Sequence, residues 1–475
     1  MRILIADESV ATSDALRPYF PAGGQATKTS AIAELTIACA PAASKGCDPE
    51  DCACPPFDLH DQREFEATIL DTLGTALLNR GCLDEGGPLI KRAREIRGEF
   101  LGTEHPAYAL SQNSYARLQR EQGDFKEAES AARDALRINS ETFGLKSLAV
   151  ATSLYHLGAV QLDQGRFDAA EDTAIKGLGI MCTLGPAAND PNNTRLLEIR
   201  GRAELFLGKI GKAAATYTEL IELDLEELGT RDHYKYAVHA GNFGMVKQMQ
   251  GHRDQAERAY REAIEFFVER FKNPCHPNLI DFYANLGSLL RQRGTAEAVK
   301  EAGELFGKAL KLDEQVRGAD HVLVANDLAN LGRWQYDSRD TEGAIATLGK
   351  AIDIYEQNVK EAELPAEHFF LAEARTWKGR VLVESNRREA ACEAEPLLEL
   401  AITHWPAQLG PGSVGEGMAK ACLGHGLFLQ DRDLARSCKL LCEGYAIVKE
   451  KSRDAAFVAR VKGWIDQQGC RCDGC

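Results

Sequence analysis

Tyr115-Ala116-Arg117-Leu118-Gln119-Arg120-Glu121-Gln122-Gly123-Asp124-Phe125-Lys126-Glu127-Ala128 is followed 42 residues later by Leu157-Gly158-Ala159-Val160-Gln161-Leu162-Asp163-Gln164-Gly165-Arg166-Phe167-Asp168-Ala169-Ala170. Each stretch has an apolar residue, a small residue, a turn glycine seven positions on, and an alanine five after that. The same frame places Leu73-Gly74 before Gly81, Arg200-Gly201 before Gly208, Phe243-Gly244 before Gly251 and Leu286-Gly287 before Gly294. Later copies lose the turn glycine: Leu331-Gly332 leads to Arg339, Lys378-Gly379 to Asn386 and Leu423-Gly424 to Asp431. Successive turn positions differ by 42, 42, 43, 43, 43, 45, 47 and 45 residues. A period of this size is the signature of a stacked repeat, in which one supersecondary unit cannot bury its own apolar face.

Each unit reads as two helices. The first ends at the turn residue, where glycine takes the left-handed conformation at little cost. The second begins near Ala128, Ala170, Ala213, Ala256, Ala302, Ala344 or Ala391, with Gly86 in that place in the first unit. Several second helices carry another small residue seven positions on: Ala93, Ala135, Ala263, Ala309 and Ala351. Small residues two turns apart on one face allow close helix approach. Three extra residues fall around Thr295–Val299, and a long loop is expected from Trp405 to Gly417.

The Leu-Gly, turn-Gly and Ala pattern resembles the tetratricopeptide repeat, over about residues 62–466. The long period and the junctions Leu101-Gly102-Thr103-Glu104-His105-Pro106, Arg317-Gly318-Ala319-Asp320-His321 and Asn273-Pro274-Cys275-His276-Pro277 look like the kinesin light chain branch. That family's amino-terminal heptad coiled coil has no counterpart here. The resemblance implies an all-α, right-handed α-superhelix (an α-solenoid) of about nine helix pairs. It divides the chain into an N-terminal tail (1–60), the array (61–466) and a Cys-rich C-terminal tail (467–475). It further implies that residues two before and one after the small residue face a concave groove. Two before, units five to seven present Asn242, Asn285 and Asn330 in succession, with His156 and Trp377 at equivalent places read as packing or rim residues. In related arrays such asparagines hold the backbone of an extended ligand, because a carboxamide both donates and accepts. One after come Arg117, Arg202, Arg333 and Arg380, with Arg291 and Arg120 one turn further along. Arginine grips carboxylates through paired hydrogen bonds. The expected ligand is therefore an acidic peptide segment of a partner, with units five to eight as its seat. On the other reading, the asparagines set repeat stacking and the arginines pair with acids of the next unit, such as Asp337 or Glu384.

Composition narrows the classes. The chain has 475 residues, 44% hydrophobic and 27% charged, with formal charge −15. A large core is available. The acidity argues against nucleic acid and anionic membrane, which select basic surfaces. No apolar run reaches the ~18 residues needed to span a bilayer, and the short stretch Ile3–Ala6, followed by Asp7 and Glu8, is not a secretory signal. The expected location is cytoplasmic, where the 14 cysteines would be mostly reduced. Cysteines gather at both ends: Cys47, Cys52 and Cys54, and Cys470, Cys472 and Cys475. Close-spaced thiolates suit zinc or copper(I), but each cluster has one ligand too few for a closed site. The alternatives are frayed free thiols, or metal and thiol handling; no other cofactor is expected. Cys438 and Cys442 read as small residues on a helix. Gly410-x-Gly412-x-x-Gly415 lacks the strand that a dinucleotide site needs, and no catalytic motif occurs. The function classes left are a peptide-binding module, an assembly scaffold, and thiol or metal chemistry at the ends.

Overall fold

The computed structural model describes residues 59–472, apart from 186–190, 271, 362–363, 366–367 and 453. Among them are nineteen α-helices and no strand. Along the chain they form nine successive leading and following helices. These are α1 (Leu59–Asn79) and α2 (Leu83–Leu101), α3 (Pro106–Glu121) and α4 (Phe125–Phe143), α5 (Leu148–Asp163) and α6 (Phe167–Leu184), and α7 (Pro191–Phe206) and α8 (Ile210–Leu228). Next come α9 (Tyr234–Met249) and α10 (Arg253–Glu265), α11 (Asn278–Arg293) and α12 (Ala296–Arg317), and α13 (Val322–Asp337) and α14 (Thr341–Lys360). The last pairs are α15 (Phe369–Glu384) with α16 (Arg388–Leu409) and α17 (Val414–Leu429) with α18 (Leu434–Lys451); α19 (Ala455–Gln468) follows alone.

The turn residues read from the sequence all adopt the left-handed conformation. Gly81, Gly123, Gly165, Gly208, Gly251 and Gly294 have φ between +72° and +87°. Arg339, Asn386 and Asp431 reach φ of +54° to +67° with a side chain present, at a cost of roughly 1 kcal/mol each relative to glycine. The alanines that open the following helices, Ala128, Ala170, Ala213, Ala256, Ala302, Ala344 and Ala391, are all fully buried. The leading-helix glycines are equally constrained: a Cβ on Gly287 would stand 2.9 Å from the Phe306 ring. Gly86 replaces the usual alanine because its Cβ would stand 2.7 Å from the Gly74 carbonyl oxygen. The three-residue insertion is absorbed by lengthening α12, whose N-terminus is capped by Thr295. The long loop expected from Trp405 does not exist. α16 runs through Pro406 to Leu409, and only residues 410–413 connect it to α17. Trp405 is buried in the core, with its indole N–H on Thr376 at 3.0 Å, so packing holds that turn helical.

The chain forms two compact bodies, divided between Leu118 and Gln119. In the first, α1 and α2 pack through Gly74 and Ile90, and buried Arg97 pairs with Glu64 at 3.0 Å and Asp71 at 2.9 Å. In the second, neighbouring helices pack in order, and the chain also returns to itself after five units. His321, at the start of α13, lies over the unit-two turn at Gly123, and His368, at the start of α15, lies over the unit-three turn at Gly165. Phe167 stacks on Phe206 at 4.5 Å, and Phe369 meets both edge-on at 5.4 and 6.1 Å. Phe125, Ala128 and Val160 share one apolar cluster with Val322, Leu328, Tyr355 and Leu371. This seam is a second core that no single unit contains.

Candidate functional site

Leading helices of neighbouring units touch: α5 meets α7, α9 meets α11, α11 meets α13, α13 meets α15, and α15 meets α17. Among the described residues, following helices of neighbouring units do not pack comparably on each other. The leading helices therefore line one side of the stack, taken here as its inner side, and their side chains meet across unit boundaries.

The clearest constellation spans units six to eight and centres on Trp377 of α15, buried at 9% exposure. The Arg333 and Arg380 guanidiniums each lie 4.8 Å from its ring centroid, and that of Arg291 at 5.9 Å. A ring face attracts a cation more strongly when water is excluded. Each arginine also has a carboxylate. Arg291 pairs with Asp337 of the next leading helix. Arg333 reaches Glu373 at 3.0 Å. Arg380, itself buried, bonds Glu384 at 2.8 Å and Asp454 at 3.2 Å. Burial, with the Arg333 charge beside it, lowers the Arg291 pKa in spite of Asp337. Tyr336 donates its hydroxyl to Glu384, and Arg460 pairs with the same carboxylate.

The three asparagines differ. Asn242 donates its amide to Glu198 of α7 at 3.2 Å. Asn285 and Asn330 are half-buried, and neither has a hydrogen bond among the described residues. Each therefore keeps a carboxamide donor and acceptor free. Arg202 lies in a different setting, half-buried on α7. Burial disfavours its charge, but Asp163 of α5, Asp281 of α11 and Glu198 outweigh that and raise its pKa. Nearby, Arg120 meets Asp163 at 3.4 Å and Arg317 meets Glu121 at 3.4 Å. Arg202 thus feels the acids beside the seam without an ion pair of its own among the described residues, apart from the Trp377 cluster.

Trp377, read from the sequence as a packing or rim residue, does pack in the core, and its ring is also the hub of three cations. The signal that could have found it is its place at the asparagine position with arginines around it. Arg291 on Asp337 and Arg333 on Glu373 are next-unit pairings of the alternative, stacking reading, whereas Arg380 and Glu384 pair within one helix.

The cysteine readings change at the C-terminus. Cys470 is disulfide-bonded to Cys438, and Cys472 to Cys442. Cys438 and Cys442 stand one turn apart on α18, so residues 470–472 are tied down instead of forming a frayed tail. Metal ligation needs thiolates, so Cys470 and Cys472 offer none here. Among the described residues, no group of three or more His, Cys, Asp or Glu side chains could hold a metal ion. Cys47, Cys52, Cys54 and Cys475 lie outside the described residues. Among the described residues no helix is long and apolar enough to cross a membrane.

The family profile described as "Tetratricopeptide repeat" matches residues 65–141 and 280–357. Those two segments are tetratricopeptide repeats. They take in units one and two and units six and seven of the array. No curated protein matches the chain. Among solved structures, a putative kinesin light chain from Podosopora anserina with nearly identical tetratricopeptide-like repeats is 16% identical, with a TM-score of 0.35, covering 44% of this chain and 97% of its own. BtubC (BKLC) from P. vanneervenii is 20% identical, with a TM-score of 0.35, covering 50% of this chain and 91% of its own. A tetratricopeptide repeat protein from Parabacteroides merdae is 17% identical, with a TM-score of 0.37, covering 63% of this chain and 98% of its own. Likenesses at this level carry no argument about function.

Proposed function

We propose that this chain is a non-enzymatic scaffold that holds an extended, acidic segment of a partner protein along the leading helices of units six to eight. Tetratricopeptide repeats generally mediate protein–protein interaction. The observation that carries the reading is the pair of half-buried, unpartnered asparagines, Asn285 and Asn330, at equivalent places on α11 and α13, the helices that also carry Arg291 and Arg333. An unpaired carboxamide on an inner surface suits the N–H and C=O of an extended backbone, whatever its side chains. Arg291 and Arg333 supply the carboxylate preference: each uses one donor nitrogen on its internal acid and has further donors to offer.

The test is an array of acidic and charge-neutral peptides probed with wild type, Asn285→Leu and Arg333→Glu. Binding weakened in both variants and biased to acidic peptides supports the reading; equal binding by all three proteins sinks it. A second reading, an assembly scaffold without a groove ligand, is favoured by the internal ion pairs, which give every arginine of the cluster an acid of its own. Under that reading Asn285→Leu leaves partner capture intact. Against the cytoplasmic location expected from sequence stand the two disulfides, which a reducing compartment tolerates mainly when they are transient.

A further inference from the structure

Two bridges join the last described residues to α18, and the helix between them and the array lies on the leading-helix face. α19 packs by Phe457, Val461, Trp464 and Ile465, all buried. Its polar groups take positions equivalent to those assigned to a ligand in other units. Asp454, its N-cap, bonds Arg380 at 3.2 Å, and the Phe457 ring lies 4.3 Å from the same guanidinium. Arg380 is the unit-eight residue one after the small position. His425 is its unit-nine equivalent. Trp464 stacks on that imidazole at 4.4 Å with the planes 9° apart, and the Gln468 amide lies 3.1 Å from His425 Nδ1. Arg460 takes Glu384 and donates to Tyr336 at 2.9 Å. The C-terminal end of the inner face is thus already occupied, by this chain's own helix.

What keeps α19 there is partly covalent. Cys438 to Cys470 spans 32 residues and Cys442 to Cys472 spans 30. All four cysteines are half-buried, so an external thiol can reach them. We propose that the Cys438–Cys470 and Cys442–Cys472 bridges are a redox-operated clasp that holds α19 as a lid over Arg380 and His425. The step is thiol–disulfide exchange with a dithiol. Its thiolate attacks one sulfur of a bridge to give a mixed disulfide and one cysteine thiol. Its second thiol then closes on the first to release the other cysteine. Per bridge, two electrons and two protons pass to the cysteine pair, and the dithiol leaves as its own disulfide. Reduction leaves α19 held only by its four apolar side chains and its polar contacts, so opening becomes frequent and Arg380 and His425 are exposed to a ligand. The lid role, though not the clasp, rests on the groove reading above.

The experiment compares the full chain as purified without reductant, the same protein after dithiothreitol, and a Cys438→Ser/Cys442→Ser variant. Hydrogen exchange is followed over 455–468, with α11–α14 as internal reference. Exchange at least tenfold faster in α19 in both the reduced protein and the variant, with the reference unchanged, is the expected result. Unchanged α19 exchange in both overturns the clasp. So does finding, by alkylation and mass spectrometry, four free thiols or a bound zinc ion in protein treated with a mild oxidant. This readout needs no ligand and stands apart from the groove reading. A fluorescein-labelled Glu-rich decapeptide supplies the second arm. Its affinity is expected to rise several-fold on reduction in wild type. An unchanged affinity beside a released α19 overturns the lid. Equal and weak binding by wild type and Asn285→Leu in both redox states points instead to failure of the groove reading.

Discussion

The inner face carries arginines in two places, and they meet different fates. In units two to four, Arg120 pairs with Asp163, whose charge also bears on Arg202, and Arg317 meets Glu121 from the far side of the seam. In units six to eight, Arg291, Arg333 and Arg380 converge on Trp377, and Asn285 and Asn330, on the helices of Arg291 and Arg333, stay unpaired. Both stretches obey the same repeat frame. What differs is the layer above: a returning turn of the same chain over the first, and over the end of the second a single helix tied by disulfides. The frame decides which residues point inward; the coil decides which of them remain available.

Breaking the seam tests the first half of that contrast and carries the largest expected effect. Phe167→Ala removes a buried ring (2% exposed) that stacks on Phe206 and meets Phe369. A loss of about 4 kcal/mol is expected in urea unfolding. A seam role adds a sharper mark: exchange should quicken around 368–372, some two hundred residues away in sequence, as well as in α6. Loss confined to units three and four would show that the turns stack independently. Removing the clasp with Cys438→Ser/Cys442→Ser comes next. Closing loops of 32 and 30 residues restricts the unfolded chain by roughly 3–4 kcal/mol for the first bridge, and less for the second because the segment is already tied. The loss should fall on the C-terminal unfolding transition, read by urea denaturation with and without reductant.

The seam should also sense acid. His321 and His368 are buried, and burial lowers each to a pKa of about 4. Arg317 beside His321 adds to the shift, and Glu121 opposes it without cancelling it. A depressed histidine pKa means the unfolded chain binds the proton more readily. The stabilisation is therefore full above the unfolded value near 6.5 and is lost as the pH falls toward 4. Between pH 7 and 5 each ring contributes about 2 kcal/mol of lost stability. His368→Gln should remove that part of the pH dependence of the unfolding free energy, read by urea denaturation at pH 7 and 5. An unaltered slope would mean the ring is not buried in neutral form.

The sequence carried the repeat almost completely, because turn and contact positions recur in a fixed frame. Gly123, Asn386 and Asp431 could be placed as left-handed residues from spacing alone, and Ala170 or Ala302 as buried ones. The seam was not legible. His321 meets Gly123 across five units, and no local period records a contact that depends on the pitch of the whole coil. The disulfides were hidden for a related reason: Cys438 and Cys442 looked like ordinary helical residues, and their partners stood in what read as a tail. At the candidate site, one of the acids named from sequence, Asp337, does meet an arginine, Arg291, but the others were not legible. Asp163, Glu373 and Asp454 come from other units, and only packing brings them there.

The smallest expected effect separates asparagines that the frame treats as equals. Asn242 already donates to Glu198, so Asn242→Leu leaves a partly buried carboxylate with one donor fewer and should cost up to about 1 kcal/mol of stability. Asn285 has no bond to lose, so Asn285→Leu should leave the melting midpoint within error. Its effect should appear only with a ligand present: about fivefold weaker binding of an acidic peptide, the worth of one backbone hydrogen bond. Calorimetric melting and peptide titration on the two variants therefore give opposite patterns if the availability of a carboxamide, and not its place in the repeat, decides its role. If both variants lose stability and neither changes binding, Asn285 is a stacking residue like Asn242, and the distinction between the covered and open halves of the inner face has no functional content.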